Sequence, residues 1–172
     1  SAFGTYALDA NTTASHNTAM GYTALTANTT GAYNSSFGRN SLFTNTTGAS
    51  NTALGYQALY SNTTADNNVA VGKDALLLNT TAADNTAVGR SALAANTTGA
   101  DNTAVGMEVL LANTTASNNT SIGLFSMRGN TTGANNFAGG AHSLYTNTTG
   151  GQNVAIGHAA MNSNNASNNT AI

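Results

Sequence analysis

A glycine stands at every seventeenth residue of this chain without a slip: Gly4, Gly21, Gly38, Gly55, Gly72, Gly89, Gly106, Gly123, Gly140 and Gly157. A fixed internal period outranks local propensity, because it means that one small unit is stacked many times. With the glycine as position 1, the unit reads G-x-x-A-L-x-x-N-T-T-[GA]-x-x-N-T-A-V. Position 5 is Leu or Met throughout, from Leu8 to Met161. Seventeen residues are too few for a pair of packed helices. They suit one coil of a narrow parallel β-solenoid, with short segments joined by tight turns and coils about 4.8 Å apart. The chain therefore predicts an all-β fold, a β-roll of ten 17-residue coils spanning 1–172 as a single repeat array. A lone helical turn around position 5 stays open. The phrase is cut at both ends, "SAFG" and "NTAI", and the reading is a segment of a longer fibre.

Composition narrows the partners. Four Lys or Arg and six Asp or Glu in 172 residues leave no basic patch for phosphates, so nucleic acid is not an expected partner. Aliphatic runs are only a few residues long, so no membrane span is expected. The absence of Cys excludes disulfides and thiolate metal sites. His16, His142 and His158 fall at positions 13, 3 and 2 and form no recurring set, so neither an enzyme nor a cofactor is expected.

Variation between copies orients the coil. Position 15 is small or β-branched and position 17 large, except in "NNFAGG", where Phe137 and Gly139 exchange sizes. Residues two apart on a strand share a face, so one large side chain fills the space the other leaves. Both positions are expected to point inward, against Leu at position 5. Position 16 then points outward. It is Ala19, Ala53, Ala70, Ala87, Ala104, Ala138 and Ala155, with Ser36 and Ser121 among them, never large and never charged. An outward ladder of small residues is read as a packing face for another chain, in a homo-oligomer or a bundled filament; the other reading is that small residues merely suit a crowded strand.

Each glycine is expected at a corner, either because the backbone takes φ > 0 there or because a Cβ would strike the next coil. Position 14 is Asn from Asn17 to Asn169, a bend residue able to bond amide to amide along the stack. Position 8 opens Asn-Thr-Thr in nine copies: Asn11, Asn28, Asn45, Asn62, Asn79, Asn96, Asn113, Asn130 and Asn147. The tenth copy is one residue short and regains the pattern at Asn165. Asn-x-Thr/Ser is the acceptor pattern for N-linked sugar, so covalent glycans are one reading of the column; a turn that caps backbone groups is the other.

The phrases "NTAVGRSAL" and "NTAVGMEVL" (85–93 and 102–110) resemble the head repeats of trimeric autotransporter adhesins, and related repeats in bacterial and phage fibre proteins. That resemblance implies a parallel β-roll, three chains side by side, and Asn102, Ala104, Val105 and Gly106 as coil and interface residues. The functional expectation is a self-assembling extracellular or cell-surface fibre or adhesin stalk. The alternative is an ice-binding solenoid, using the Thr ladders at positions 9 and 10.

Overall fold

A computed structural model describes residues 1–172. The chain is all-β and helix-free, a β-solenoid of ten coils. Its strands are β1 (Ala2–Phe3), β2 (Thr18–Met20), β3 (Ser35–Phe37), β4 (Thr52–Leu54), β5 (Val69–Val71), β6 (Thr86–Val88), β7 (Thr103–Val105), β8 (Thr120–Ile122), β9 (Phe137–Gly139), β10 (Val154–Ile156) and β11 (Thr170–Ala171). All pair in parallel in sequence order. The register offset is seventeen, as in Ala87↔Ala104, until the shortened copy makes it sixteen at Ala155↔Ala171. Only 19 of 103 backbone hydrogen bonds belong to the strands. The coils are therefore joined around most of their circumference, not by the sheet alone.

The strand faces inward by its middle residue. Position 16 is the buried one in every internal strand, and positions 15 and 17 are half-buried or exposed. This corrects the sequence expectation at both points. The size exchange in β9 does show that positions 15 and 17 share a face, since the Phe137 ring lies 3.5 Å from where a Cβ on Gly139 would stand. The face they share is the outer one. Ala19, Ala53, Ala70, Ala87, Ala104, Ala138 and Ala155 are core residues, packed with the Leu column and position 4. Their smallness comes from the thinness of the coil, whose far wall already sends in Leu and Ala; a larger side chain at position 16 has nowhere to go.

Opposite the sheet, residues at positions 3 and 5 both take left-handed backbone, for example Ser91 (φ 56°) and Leu93 (φ 53°). Position 13 does the same. A non-glycine residue pays roughly 1–2 kcal/mol for that conformation. At position 5 the burial of a whole Leu side chain, worth about 1.5–3 kcal/mol, outweighs it. At position 13 the residue type lowers the cost: Asn67, Asp84, Asp101, Asn118, Asn135 and Asn168 are of the kind that best tolerates this region.

Both reasons for the corner glycine hold together. Gly89 has φ 136°, and a Cβ on it would stand 2.3 Å from the Gly106 carbonyl oxygen. The same geometry recurs at Gly4, Gly21, Gly38, Gly55, Gly72, Gly106, Gly123 and Gly140. Gly157 has the φ alone, because the next coil ends before reaching it.

Candidate interaction surfaces

The Asn-Thr-Thr edge is built from the inside out. Asn28, Asn45, Asn62, Asn79, Asn96, Asn113, Asn130 and Asn147 are fully buried. Each donates its amide to the Asn one coil before, as in Asn79 Nδ2 to Asn62 Oδ1 (3.0 Å), and also to the carbonyl three residues on, as in Asn79 Nδ2 to Ala82 O (2.9 Å). The second column, at position 14, works differently. The Asn85 backbone N–H donates to Asn68 Oδ1 (3.0 Å), and Asn85 Nδ2 reaches the Gly99 carbonyl in the following coil (3.0 Å). Both columns thus converge on the position 11 carbonyls, as Asn17 and Asn28 do on Gly31 O.

In the folded rod Asn28 to Asn147 of this column offer no free amide to N-linked sugar. The amide nitrogen that would carry the glycan already gives both hydrogens to protein acceptors inside the coil, and a sugar there would displace the ladder. Asn11, at the open end, is half-buried and still bonded to Ala14 O. Asn165 alone is exposed, its oxygen accepting from Thr148 N–H and hydroxyl.

The two threonines part company. At position 9 the hydroxyl donates to the position 9 carbonyl of the next coil, as Thr97 does to Thr114 (3.0 Å) and Thr63 to Thr80 (3.1 Å). At position 10, Thr30, Thr47, Thr64, Thr81, Thr98, Thr115, Thr132 and Thr149 are exposed, and no hydroxyl in that row bonds to protein.

The largest regular surface is the outer side of the sheet. Its two rows run Thr18, Ser35, Thr52, Val69, Thr86, Thr103, Thr120, Phe137, Val154 at position 15, and Met20, Phe37, Leu54, Val71, Val88, Val105, Ile122, Gly139, Ile156 at position 17. No charge interrupts either row. Met20, Leu54, Ile122, Phe137 and Ile156 are each 40% or more exposed. The rows measure roughly 50 Å by roughly 7 Å from strand geometry. Position 17 is apolar in every copy but Gly139, whereas position 15 is Thr or Ser in six of these nine copies, so the face is one apolar row beside a mostly hydroxylated one.

All four cations lie on the wall opposite the sheet, at positions 2 and 6. Arg39, Lys73 and Arg128 each stand within 6 Å of a ring, over Tyr22, Tyr56 and Phe125. Arg90 and Arg128 clasp Glu108 from either side across three coils. The hydrogen bond from Arg128, helped by the charge of both guanidiniums, holds the Glu108 carboxyl below the usual range, and the same bond raises Arg128. His16 stacks on Tyr33 at 4.8 Å. His142 sits among Phe125, Tyr145 and His158 at 5.4–5.9 Å between centroids. No ligand-sized cavity opens on the rod, and no three His or acidic groups converge as metal ligands.

The sequence held two signals for this arrangement. Position 16 is Ser only at Ser36 and Ser121, and in those copies the next position 4 is also Ser. The structure pairs them inside the coil, Ser36 with Ser41 at 2.6 Å and Ser121 with Ser126 at 2.7 Å. A polar residue appearing only with a polar partner is the mark of an interior pair. The run of Asn and Asp at position 13 likewise pointed to left-handed backbone. Comparisons with protein-family models, with curated proteins and with solved structures returned no match, so a functional reading rests on these surfaces.

Proposed function

We infer that the chain is a structural rod, a fibre or adhesin stalk at the cell surface or outside the cell, which assembles with copies of itself side by side through the outer sheet face. The observation that carries this reading is the uncharged double row at positions 15 and 17. A coil this thin spends its apolar volume on Leu and Ala inside. The Val, Ile, Leu, Phe and Met outside are only half-buried or exposed in the single rod and gain further burial by contact with another sheet. A trimer is the arrangement implied by the adhesin-like phrases, and a filament bundle uses the same face. The repetition sets length, since a solenoid bury its edges only by stacking more coils.

Sedimentation of the full chain tests the face. The wild type is expected to run as an oligomer at micromolar concentration. The double variant Val88→Lys/Val105→Lys is expected to run as a monomer with unchanged circular dichroism. A monomeric wild type, or a variant that still associates, removes the reading.

Ice binding keeps one favourable observation. The sheet carries Thr86, Thr103 and Thr120 in consecutive register at position 15. Val69, Phe137 and Val154 interrupt that ladder, so no thermal hysteresis is expected from the purified rod; hysteresis with ice shaping would favour this alternative.

A further inference from the structure

The invariant threonine at position 10 is unexplained by the fold. Positions 2, 3, 6 and 13 are also on the outside, and they differ freely from copy to copy. Position 10 is Thr in all nine full-length copies, from Thr13 to Thr149. Copying alone does not account for this, because the same copies have diverged at the neighbouring outer positions. Structural need does not account for it either. The position 9 hydroxyl is spent on the next coil, as in Thr46 to Thr63 (3.1 Å) and Thr131 to Thr148 (2.9 Å), whereas the position 10 hydroxyls have no partner in the protein. The N–H at position 10 bonds the next coil, as Thr98 N does to Thr114 O (3.3 Å), but any residue other than Pro supplies that bond. What remains specific to Thr is a secondary hydroxyl facing solvent, repeated once per coil. Its surroundings at positions 7 and 12 are mostly Ala, Ser, Thr and Gly, which leave room for an adduct.

We propose that the position 10 threonines are sites of O-linked glycosylation by a neutral sugar, so that the Asn-Thr-Thr edge carries its sugar on the second threonine and not on the asparagine. In the transfer, Thr Oγ1 attacks the anomeric carbon of a sugar activated as a nucleotide or lipid phosphate ester. The bond from that carbon to the phosphate oxygen breaks, the phosphate leaves with the electron pair, and the hydroxyl proton passes to a base of the transferase. Nothing is oxidised or reduced. A neutral adduct fits the spacing better than a phosphate would, because dianions one coil apart would repel along the whole row. A row of neutral sugar also hydrates a rod with only ten charged side chains, four Lys or Arg and six Asp or Glu.

Intact-mass and peptide analysis of the chain purified from the cells that make it, with alkaline β-elimination to tag modified threonines, tests the assignment. Hexose- or hexosamine-sized increments are expected at Thr47, Thr98 and Thr132, and none at Thr46, Thr97 and Thr131. An unmodified chain, or sugar distributed equally over both threonines, overturns the proposal. A second measurement asks whether the row is structural after all. In unmodified recombinant chain, Thr98→Val is expected to leave the melting temperature unchanged while Thr97→Val lowers it; an equal loss from both would overturn the proposal as well. Neither result depends on whether the sheet face self-associates.

Discussion

The regular coils and the last one differ by a single residue, and the difference separates two devices that otherwise always occur together. Where the tenth copy reads Asn164-Asn165-Ala166, one position is deleted and neither threonine is present. The sheet does not notice: Val154 still pairs with Thr170, and the Asn169 backbone N–H still donates to Asn153 Oδ1 at 3.0 Å. The position 8 ladder stops. Asn164 turns its amide to Ala166 O and toward the Met161 sulfur, and Asn147 Oδ1 is left buried without a partner. The position 14 column therefore keeps its bonds with the strand register, while the position 8 column is a separate clamp beside it on the same edge, and it needs a full-length Asn-Thr-Thr to reach the next coil.

The largest expected effect comes from imposing that break on the middle of the rod. Asn79→Ala removes donors to Asn62 Oδ1 and Ala82 O and the acceptor for Asn96 Nδ2. Ala82 O keeps its bond from Asn68, so the buried losses fall on Asn62 Oδ1 and one Asn96 hydrogen. At about 1–3 kcal/mol for each of the two unsatisfied groups, the rod should lose about 2–6 kcal/mol. Denaturant unfolding should show it, and amide exchange should localise it to the fourth to sixth coils. A loss below 1 kcal/mol would mean that water enters and replaces the ladder.

The repeat length, the solenoid, the glycine corners and the Leu column were legible in the sequence because each depends on one residue type recurring at one position. Facing was harder. Alternation says only that positions 15 and 17 oppose position 16; it does not say which side is wet. The expectation that large means inside failed, because Leu at position 5 already fills this thin coil and leaves position 16 room only for Ala or Ser. The Asn-Thr-Thr column was ambiguous for a related reason. The same three letters serve as a sugar acceptor or as a buried hydrogen-bonding edge, and only the direction of the Asn79 or Asn96 side chain decides. The left-handed Leu93 and its equivalents gave no warning, since Leu is a residue that avoids that backbone unless burial compels it.

A smaller effect of opposite sign should follow from repairing the last coil. Replacing Asn165 by Thr and inserting a second Thr after it restores Asn164-Thr-Thr-Ala166 chemistry. Asn164 can then donate to Asn147 Oδ1 as its eight predecessors do. One recovered buried hydrogen bond contributes about 1 kcal/mol, and satisfying the orphaned oxygen adds to it. The melting temperature should rise, with the added protection confined to the ninth and tenth coils. No rise would show that the end coil frays whether or not the clamp is complete.

The smallest expected effect concerns a link the terminal coils lack. Arg90 and Arg128 hold Glu108 across the sixth to eighth coils from outside the core. Both guanidiniums are substantially exposed, so the pairs are worth well under about 1 kcal/mol each at physiological salt. The direction of any pH dependence is nevertheless fixed. Glu108 has its folded-state pKa lowered, first by the hydrogen bond from Arg128 and then by the charge of the two arginines. Its contribution is fully present above the unfolded carboxylate value of about 4.3 and is lost as pH falls through the lower folded value. Other acids titrate in the same window, so the informative quantity is wild type minus Glu108→Gln. That difference should favour the wild type slightly at pH 7, shrink below about pH 4, and shrink at pH 7 when salt is raised toward 1 M. A difference that ignores both pH and salt would mean that Glu108 acts through packing against its neighbours and not as the charge between two arginines.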